Sequence, residues 1–403
     1  MSGTARAYQP KGSLSSDGRW SVLPVGSARY RTRMIVRRPA DPRRFNGTVV
    51  VEWLNVSAGS DIAPDWSFAH TELMREGFAW VGVSAQKVGV DAAKNGDPAR
   101  YGSLVHPGDQ YSYDIYSQAG QAVGHPNGVD PLAGLRRSRR LIADGESQSA
   151  IRMTSYVDAV HPLVEVYDGF MIHSRFASGA PLGSNGQVRG PGSARIRTDL
   201  AVPVMVVSSE TDVGFNSSTR GADTDRYRLW EIAGTAHADT YLLGGPIAGT
   251  GTGVETQRAG SCTAATNSAP QYEVMNAAFF SLNRWITHSV PPPRAPRLKL
   301  KPGSAGMPVR DKYGNALGGI RLPQLDVPTS KLTGDGNGGG PFCLLFGSTV
   351  PFSPARLKAL YPDHATYVRA FTQATQRLLR QGFILPPDAK AAIKSAQEST
   401  VGG

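Results

Sequence analysis

The stretch that most constrains the fold is residues 139–150, RRLIADGESQSA, where a short apolar run ends abruptly in a turn. We predict a buried strand at residues 141–143 and a helix that continues to about residue 160. Gly145 permits the sharp reversal between them, and Ser147 lies at its apex. This strand-turn-helix unit predicts an α/β fold in which the oxygen of Ser147 stands out from the edge of a sheet.

Ser147 is the candidate nucleophile of this turn, because the strained backbone of such turns exposes the serine oxygen. The backbone amide of Gln148 would then face the oxyanion that develops during attack. Ser149 stands where the turn commonly has a second glycine, and a small residue is needed there because helix and strand approach closely. The structural alternative is that Ser147 only caps the following helix.

Further apolar runs alternate with helical segments along much of the chain. They predict buried strands at residues 47–53, 78–83, 169–173, 201–208 and 228–233. A helix that starts at Pro64 or Asp65 and stops at Gly77 separates the first two runs. This order of strand, helix and strand specifies right-handed crossovers, and therefore a mostly parallel central sheet flanked by helices.

Outside these runs, roughly the first three hundred residues have less regular patterns of apolar and polar residues. Residues 1–27 are polar and rich in turn formers, so we expect them to wrap the surface. Residues 30–36 alternate and are predicted to form an outer strand. Helices are predicted at residues 109–122, in the basic segment 129–140, and at 271–289.

The run Pro291-Pro292-Pro293 is a hard stop for a helix and sets the expected boundary of the core. Residues 1–293 are expected to form that core, including an N-terminal extension, and residues 294–403 a C-terminal appendage. The appendage has short β-like pieces and a helix from Pro354 onward, with its best pattern at residues 365–381. We expect the appendage to pack beside or over the active edge as a cap.

Three separate strand ends supply the parts of a nucleophilic site. A serine hydroxyl needs a base to remove its proton and a carboxylate to orient that base. His237 follows the strand at 228–233, and both Glu210 and Asp212 follow the strand at 201–208, so these residues should share one sheet edge with Ser147. Asp212 is the preferred acid, and Glu210 is the alternative that would approach His237 from the tighter side of the turn.

The loop after residues 47–53 is the expected source of a second oxyanion donor, the amide of Asn55 or of Val56. Large side chains near the predicted edge are candidates to line the acyl or alcohol pocket, although ordinary packing explains each of them equally well. These candidates are Trp53, Trp66, Gln86, Gln148 and Tyr241. Glu52 lies within the first core strand, where a buried carboxylate needs a partner, and we expect a structural salt bridge.

Several of these stretches together resemble the α/β-hydrolase superfamily, and within it a group of large bacterial and fungal serine esterase-like proteins. They include VVVEWLNVSAG, ADGESQSA and EIAGTAHAD, and the order of serine, acid and histidine is also that of the superfamily. The resemblance covers nearly the whole chain. It implies hydrolysis of a carboxylic ester through an acyl-serine intermediate, with a small-molecule ester as partner and with no cofactor and no metal.

Charge and cysteine usage exclude some other classes of protein. The net charge is +11, but the arginines are mostly scattered singly and no nucleic-acid reading motif is present. Cys262 and Cys343 form no C-x-x-C pair, which excludes a zinc site of thiolates, and whether they form a disulfide stays open. Without a hydrophobic leader or a membrane-length apolar window, the chain is expected to be cytoplasmic as written. A disulfide would instead favour a secreted form that has lost a leader.

The leading hypothesis is therefore a serine carboxylester hydrolase. Two alternatives remain at this point. The same three residues would also support acyl transfer to an alcohol or cleavage of an amide, because the sequence does not separate water from another acceptor. The other alternative is a non-catalytic binding module whose triad is closed off by the C-terminal appendage.

Overall fold

The centre of the protein is a seven-stranded sheet in the computed structural model, which describes residues 1–135, 139–244 and 261–403. In this sheet the spatial order is β3-β5-β4-β6-β7-β8-β9, and β3 alone runs antiparallel to its neighbour. The strands of the described chain are β1 (Ser2–Pro10), β2 (Val22–Arg31), β3 (Met34–Arg37), β4 (Thr48–Trp53), β5 (Ala79–Val83), β6 (Arg140–Glu146), β7 (Gly169–His173), β8 (Val204–Ser209), β9 (Tyr227–Ile232), β10 (Ser330–Thr333) and β11 (Ser348–Pro351). The predicted α/β class with a mostly parallel sheet is confirmed.

Helices cover both faces of this sheet. The α-helices of the described chain are α1 (Pro64–Arg75), α2 (Lys87–Gly96), α3 (Pro98–Tyr101), α4 (Ser112–Gly124), α5 (Gln148–Ser155), α6 (His161–Val164), α7 (Glu210–Asn216), α8 (Thr240–Gly244), α9 (Gln271–His288), α10 (Pro323–Asp326), α11 (Pro354–Leu360), α12 (His364–Gln381) and α13 (Pro386–Glu398). A π-helical turn at Tyr156–Val160 joins α5 to α6, so the helix predicted after Ser147 is continued but not regular.

Alternating side chains of the central strands build a separate core layer on each face. One layer packs under α1 and α9 and includes Val50, Ile142, Met171, Met205 and Trp230. The other packs under α4 and α5 and includes Val49, Val51, Ala143, Phe170 and Val206. Because both faces are covered, the strands consist of nearly continuous apolar runs, which is why the sequence reveals them.

The register of the sheet places the carboxyl ends of neighbouring parallel strands side by side. Glu146 at the end of β6 lies opposite His173 at the end of β7, and Ser209 at the end of β8 lies opposite Ile232 at the end of β9. Residues that immediately follow these strands therefore meet at one edge of the sheet. This edge is where ligands bind in open α/β sheets.

The N-terminal expectation is wrong. Residues 1–27 do not simply wrap the surface, because β1 pairs antiparallel with β2 as a long hairpin whose first strand packs beside α4. The single outer strand predicted at residues 30–36 is split between β2 and β3. The basic helix predicted within residues 129–140 is not formed where the structure describes them, because residues 131–135 form turns and Arg140 already begins β6. Residues 136–138 lie outside the described chain.

The C-terminal part of the chain packs closely against the rest. Ile320 forms a parallel bridge with Ile232 of β9, and Phe346 and Phe383 belong to the same buried cluster as Trp230. The predicted helix at 365–381 is present as α12, whereas α13 was not predicted. That residues 294–403 form a separate unit beyond Pro293 stays a prediction.

Two further findings concern the cysteines and membranes. Cys262 and Cys343 form a disulfide that links residues 81 positions apart. Among the helices of the described residues, none combines the length and apolarity needed to cross a bilayer.

Candidate active site

Ser147 occupies a strained turn between β6 and α5. Its backbone has φ 55° and ψ −114°, a left-handed conformation that costs a residue with a side chain on the order of 1–3 kcal/mol. Its amide donates to the carbonyl of His173 at 3.0 Å, which fixes the turn against β7. Such strain at the end of a central strand is typical of a functional residue. The simple helix-capping alternative is excluded because the side chain makes no capping hydrogen bond.

The residues around Ser147 must be small because the helix turns back tightly onto the strand. A β-carbon on Gly145 would lie 3.1 Å from the carbonyl oxygen of Ser149. Ser149 is accommodated because its hydroxyl bonds back to Glu146, accepting from the amide at 3.0 Å and donating to the carbonyl at 2.8 Å. The departure from a second glycine is thus compensated by two local hydrogen bonds.

His237 reaches Ser147 from the loop after β9. Its Nε2 lies 2.7 Å from the Oγ of Ser147, and both side chains are buried. Gly234, with φ 70°, turns the chain out of β9 towards this position. The amide of Ala238 donates to the carbonyl of Leu345 at 3.1 Å, so the C-terminal part of the chain helps to hold the histidine loop.

Asp212 is the carboxylate that contacts His237. Its Oδ1 lies 2.6 Å from Nδ1 of His237, while its Oδ2 accepts from the amide of Ser209 at 2.6 Å. Burial would raise the pKa of Asp212, but the interactions with His237 and Ser209 outweigh burial and lower that pKa below its usual value. The side chain is therefore held as a carboxylate, as an orienting acid requires.

Glu210, the alternative acid, faces away from His237. Its carboxylate accepts from the amide of Gly234 at 2.7 Å and from the amide of Gly334 at 3.0 Å, and it pairs with Arg310 at 2.9 Å. Burial raises the pKa of Glu210, although Arg310 opposes that shift. Glu210 therefore ties the acid loop to the C-terminal part of the chain, and the structure brings Asp212 to the imidazole instead.

Glu146, which sequence reasoning missed, places a second carboxylate beside the imidazole. Its Oε1 lies 3.4 Å from Nε2 of His237. Asn55 holds it in place, since its side-chain amide donates at 3.1 Å to Oε2 of Glu146 and at 3.1 Å to the carbonyl oxygen of the same residue. The available signal was its position directly before the candidate nucleophile, which the turn motif leaves variable.

The candidate oxyanion donors differ in the hydrogen bonds that their backbone amides already make. Gln148 is the first residue of α5, and the amides of a first helical turn have no acceptor within the helix. The amide of Val56 makes a long contact of 3.3 Å to the side-chain oxygen of Gln148, which a substrate oxygen can replace. The amide of Asn55 is already bonded to the carbonyl of Ile62 at 2.9 Å, so Val56 is the better placed of the two alternatives.

A small cavity of about 60 Å³ opens beside Ser147 and His237. Its walls are mostly apolar and come largely from the loop after β4, from α8 and from the segment around residue 345. The remaining lining residues are Asn55, Ser57, Ile62, Pro64, Glu146, Ala238, Leu242, Leu243, Phe342, Leu345 and Phe346. Of these residues only Asn55 was predicted for the site, and Phe342, Leu345 and Phe346 could not be, because no local pattern marks residues so distant in the chain as pocket walls.

Trp53, Gln86, Trp66 and Tyr241, predicted to line the pocket, lie elsewhere. Trp53 is fully buried in the core layer under α4 and α5, where its indole N–H donates to the side chain of Gln86 at 3.1 Å. Trp66 packs against Trp80 with ring centroids 5.1 Å apart. Tyr241 stacks on Tyr272 at 4.1 Å. None of these four residues lines the cavity beside Ser147, so this prediction is wrong for them.

A buried acidic group underlies the turn. Glu52 accepts hydrogen bonds from the amides of Asp65 and Trp66, at 3.1 and 3.0 Å, and from the indole of Trp80 at 2.8 Å. Neutral donors thus replace the expected salt bridge, and burial raises the pKa of Glu52 to about 8. Asp65 in turn lies 2.6 Å from Nδ1 of His173, the residue whose carbonyl fixes the turn. This group supports the turn and does not reach the cavity.

Comparisons with known proteins agree with this architecture. A family model described as an alpha/beta hydrolase domain matches residues 1–394. No curated protein sequence matches the chain significantly. Within the described residues, no group of three or more histidine, cysteine, aspartate or glutamate side chains is placed to hold a metal ion.

Among solved structures, similar chains include a serine hydrolase without a lid from Xanthomonas campestris, with 13% identity, 58% of this chain and 86% of that chain covered, and a TM-score of 0.32. A Rhodothermus marinus esterase domain has 11% identity, coverage of 57% and 87%, and a TM-score of 0.26. Porphyromonas gingivalis dipeptidyl peptidase 4 has 11% identity, coverage of 51% and 27%, and a TM-score of 0.27. At such low identities and TM-scores, these likenesses say nothing about substrate.

Proposed function

The chain belongs to the alpha/beta hydrolase domain family, and on that premise we propose that it hydrolyses carboxylic esters through an acyl-serine intermediate. In the first half of the reaction, His237 takes the proton of Ser147 as the serine oxygen attacks the ester carbonyl. The amides of Gln148 and Val56 stabilise the resulting oxyanion. The tetrahedral intermediate then collapses, and His237 gives its proton to the departing alcohol.

In the second half, water replaces the alcohol. His237 removes a proton from the water as the water oxygen attacks the acyl carbon, and the same two amides stabilise the second oxyanion. Collapse breaks the bond to Ser147, which regains its proton from His237 and releases the carboxylic acid. Asp212 keeps His237 in the tautomer that has its Nδ1 protonated, and it stabilises the imidazolium that forms in each half.

The observation that carries this proposal is the continuous hydrogen-bonded chain of Asp212, His237 and Ser147. Its two links measure 2.6 and 2.7 Å, and all three side chains are buried. An exposed cluster of the same residues would be held less rigidly, whereas here backbone contacts fix each member. Reactivity of the serine hydroxyl requires such an orientation of base and acid.

A binding module is the competing proposal, and it is favoured by the exposure of Ser147, which is only 8%. We also propose that residues 294–403 act as the cap that encloses the site, because Phe342, Leu345 and Phe346 line the cavity. On the binding-module proposal, this cap would keep esters from reaching the serine.

Steady-state and burst kinetics with p-nitrophenyl acetate test the proposal. We expect the wild type to release a burst of p-nitrophenol equal to the enzyme concentration whenever deacylation is slower than acylation, and Ser147→Ala to lose turnover. The full chain without turnover would favour the binding module. Turnover that increases when an alcohol or an amine is added as acceptor would favour the acyltransferase alternative instead.

The disulfide supports a further proposal about location. Disulfides persist mainly in oxidising compartments. We therefore propose that the mature protein with the Cys262–Cys343 bridge works outside the cytoplasm. Fractionation of the native host followed by thiol labelling tests this, because a cytoplasmic protein with two reactive thiols would contradict it.

A further inference from the structure

We propose that the site takes esters of short, uncharged carboxylic acids, with an acyl chain of up to about five carbons seated in the cavity beside Ser147. This inference rests on the proposed function and names the substrate class for it. Its basis is the size, the lining and the anchoring of that cavity.

The size of the cavity limits the chain. A volume of about 60 Å³ provides room for roughly four to six water-sized groups, since each needs about 10–15 Å³ of such space. One of these positions belongs to the carbonyl oxygen of the ester. The remainder corresponds to a chain of about three to five carbons.

The lining of the cavity selects the chemistry. Leu242 and Leu243 from α8 face the cavity together with Ile62, so most of the wall is hydrocarbon and suits an aliphatic chain. The polar part of the wall comprises Asn55, Ser57 and Glu146, whose buried side chain lies beside the imidazole of His237. A carboxylate brought into this mostly apolar space would lose its hydration without gaining a cationic partner side chain from the lining other than the catalytic imidazole, so acyl chains that carry a carboxylate are disfavoured.

The wall around Leu345 is anchored on several sides. The adjacent Cys343 is bridged to Cys262, and the carbonyl of Leu345 accepts from the amide next to His237. The carbonyl of Phe346 accepts from the amide of Asn267 at 2.9 Å. A wall held by a covalent bond and backbone hydrogen bonds cannot retreat easily, so this side of the cavity restricts the length of the bound chain.

The chain in this cavity is the acyl chain and not the alcohol. The alcohol leaves after the first half of the reaction and needs an open route to solvent. The acyl group stays attached to Ser147 until water arrives, so a narrow, mostly apolar recess beside that oxygen suits the retained group, while the open side of the recess lets the alcohol leave. Apolar pocket contacts discriminate by about tenfold or more for each carbon that does not fit.

The test is a chain-length profile measured on two neighbouring variants. The p-nitrophenyl esters of acetic, butanoic, hexanoic and octanoic acid are compared by kcat/KM in the wild type, Leu345→Ala and Leu344→Ala. Leu344 is the matched control, since it is 49% exposed and belongs to the same turn but does not line the cavity. Acetate esters of alcohols of increasing length form the second arm.

We expect wild-type kcat/KM to fall about 100-fold or more between the butanoate and the octanoate, with a much weaker dependence on the alcohol. Leu345→Ala removes roughly three carbon atoms from the wall, so the fall should move to longer chains and hexanoate should gain about tenfold relative to butanoate. Leu344→Ala should keep the wild-type profile.

Three results would overturn the inference: a flat acyl-length profile in the wild type, an unchanged profile in Leu345→Ala, or an equal shift in Leu344→Ala. If Leu345→Ala does not fold, Leu242→Ala on another wall of the cavity must produce the same shift. Labelling of the wild type by a fluorophosphonate probe separates the two levels. A labelled enzyme whose kcat/KM does not depend on acyl length would contradict this inference alone. The absence of both labelling and turnover would contradict the proposed function.

Discussion

The assignment of the acid gives the sharpest prediction for a single side chain. Asp212 uses both of its carboxylate oxygens, one towards His237 and one towards the amide of Ser209. Asn at this position has a single oxygen. If that oxygen faces the amide of Ser209, the side-chain NH2 faces Nδ1 of His237, which must then be unprotonated, and Nε2 carries the proton.

A histidine with its proton on Nε2 cannot accept the proton of Ser147, so Asp212→Asn removes the base while leaving the shape of the site intact. The same tautomer error in the serine-protease triad costs a factor of about 10⁴ in kcat. That factor corresponds to about 5 kcal/mol of lost transition-state stabilisation. We therefore expect a loss of kcat on the order of 10⁴ in Asp212→Asn with little change in KM.

Glu210→Gln is the matched control, because this carboxylate follows the same strand and is equally buried. Its partners are Arg310 and two backbone amides, none of which belongs to the reacting chain of residues. We expect kcat to stay within about tenfold of the wild type. Stability should fall by about 1–3 kcal/mol, since Arg310 keeps its second partner Asp335.

The assay is kcat and KM with p-nitrophenyl acetate for both variants, with thermal unfolding recorded on the same samples. Equal kcat losses in Asp212→Asn and Glu210→Gln, or a larger loss in the second, would refute the assignment. A loss of activity in Asp212→Asn that is matched by unfolding at the assay temperature would not count in its favour, so the unfolding curve must show a folded variant.

Three further predictions concern stability. Replacing Cys262 and Cys343 by Ser should lower the free energy of unfolding by about 2–5 kcal/mol, because the bridge closes a loop of 81 residues, and the same loss should follow reduction of the wild type in denaturant titrations. Burial raises the pKa of Glu273 to about 8, so the wild type loses stability as the pH rises from the unfolded pKa near 4.5 towards 8. The free energy of unfolding of Glu273→Gln should therefore exceed that of the wild type by up to about 4 kcal/mol at pH 8 and by much less at pH 5. Equal differences at both pH values would contradict this. Gly145→Ala should lower the free energy of unfolding by about 1–3 kcal/mol and reduce the reactivity of Ser147, because the new β-carbon would lie 3.1 Å from the backbone oxygen of Ser149. A melting temperature equal to that of the wild type would contradict the close approach of helix and strand at this turn.

The parts of the fold that the sequence reveals are those with local causes. The strand at Gly169–His173 has the predicted bounds because it is a short apolar run buried on both faces. Ser147, Asp212 and His237 could be grouped together since each follows such a strand, and parallel strands end at one edge. These inferences needed no knowledge of distant contacts.

The parts that could not be predicted depend on partners far away in the chain. The bond of Asp212 to the amide of Ser209 is local, but the partner that holds Glu210, Arg310, lies 100 positions away and has no local signal. The strand Ser2–Pro10 has few β-branched residues and forms through pairing with Val22–Arg31. Large aromatic residues such as Trp53 are equally compatible with a pocket and a core, and only packing decides between them.

The pocket wall illustrates the same limit. Leu345 lies in a loop rich in small residues, and it reaches the site through a disulfide and through a backbone bond to the histidine loop. Neither contact has a local sequence pattern. The candidate catalytic residues can thus be predicted from their positions at the ends of strands. The selectivity of the site depends instead on contacts made by a segment more than a hundred residues beyond His237.

The central claim, that His237 makes the hydroxyl of Ser147 reactive, is tested most directly by covalent labelling with a fluorophosphonate followed by mass spectrometry of the peptides. The account predicts one adduct per wild-type chain, on the peptide that contains Ser147. It also predicts no adduct in Ser147→Ala and strongly slowed labelling in folded His237→Ala. An adduct that survives Ser147→Ala, or labelling that is as fast in His237→Ala as in the wild type, would contradict it.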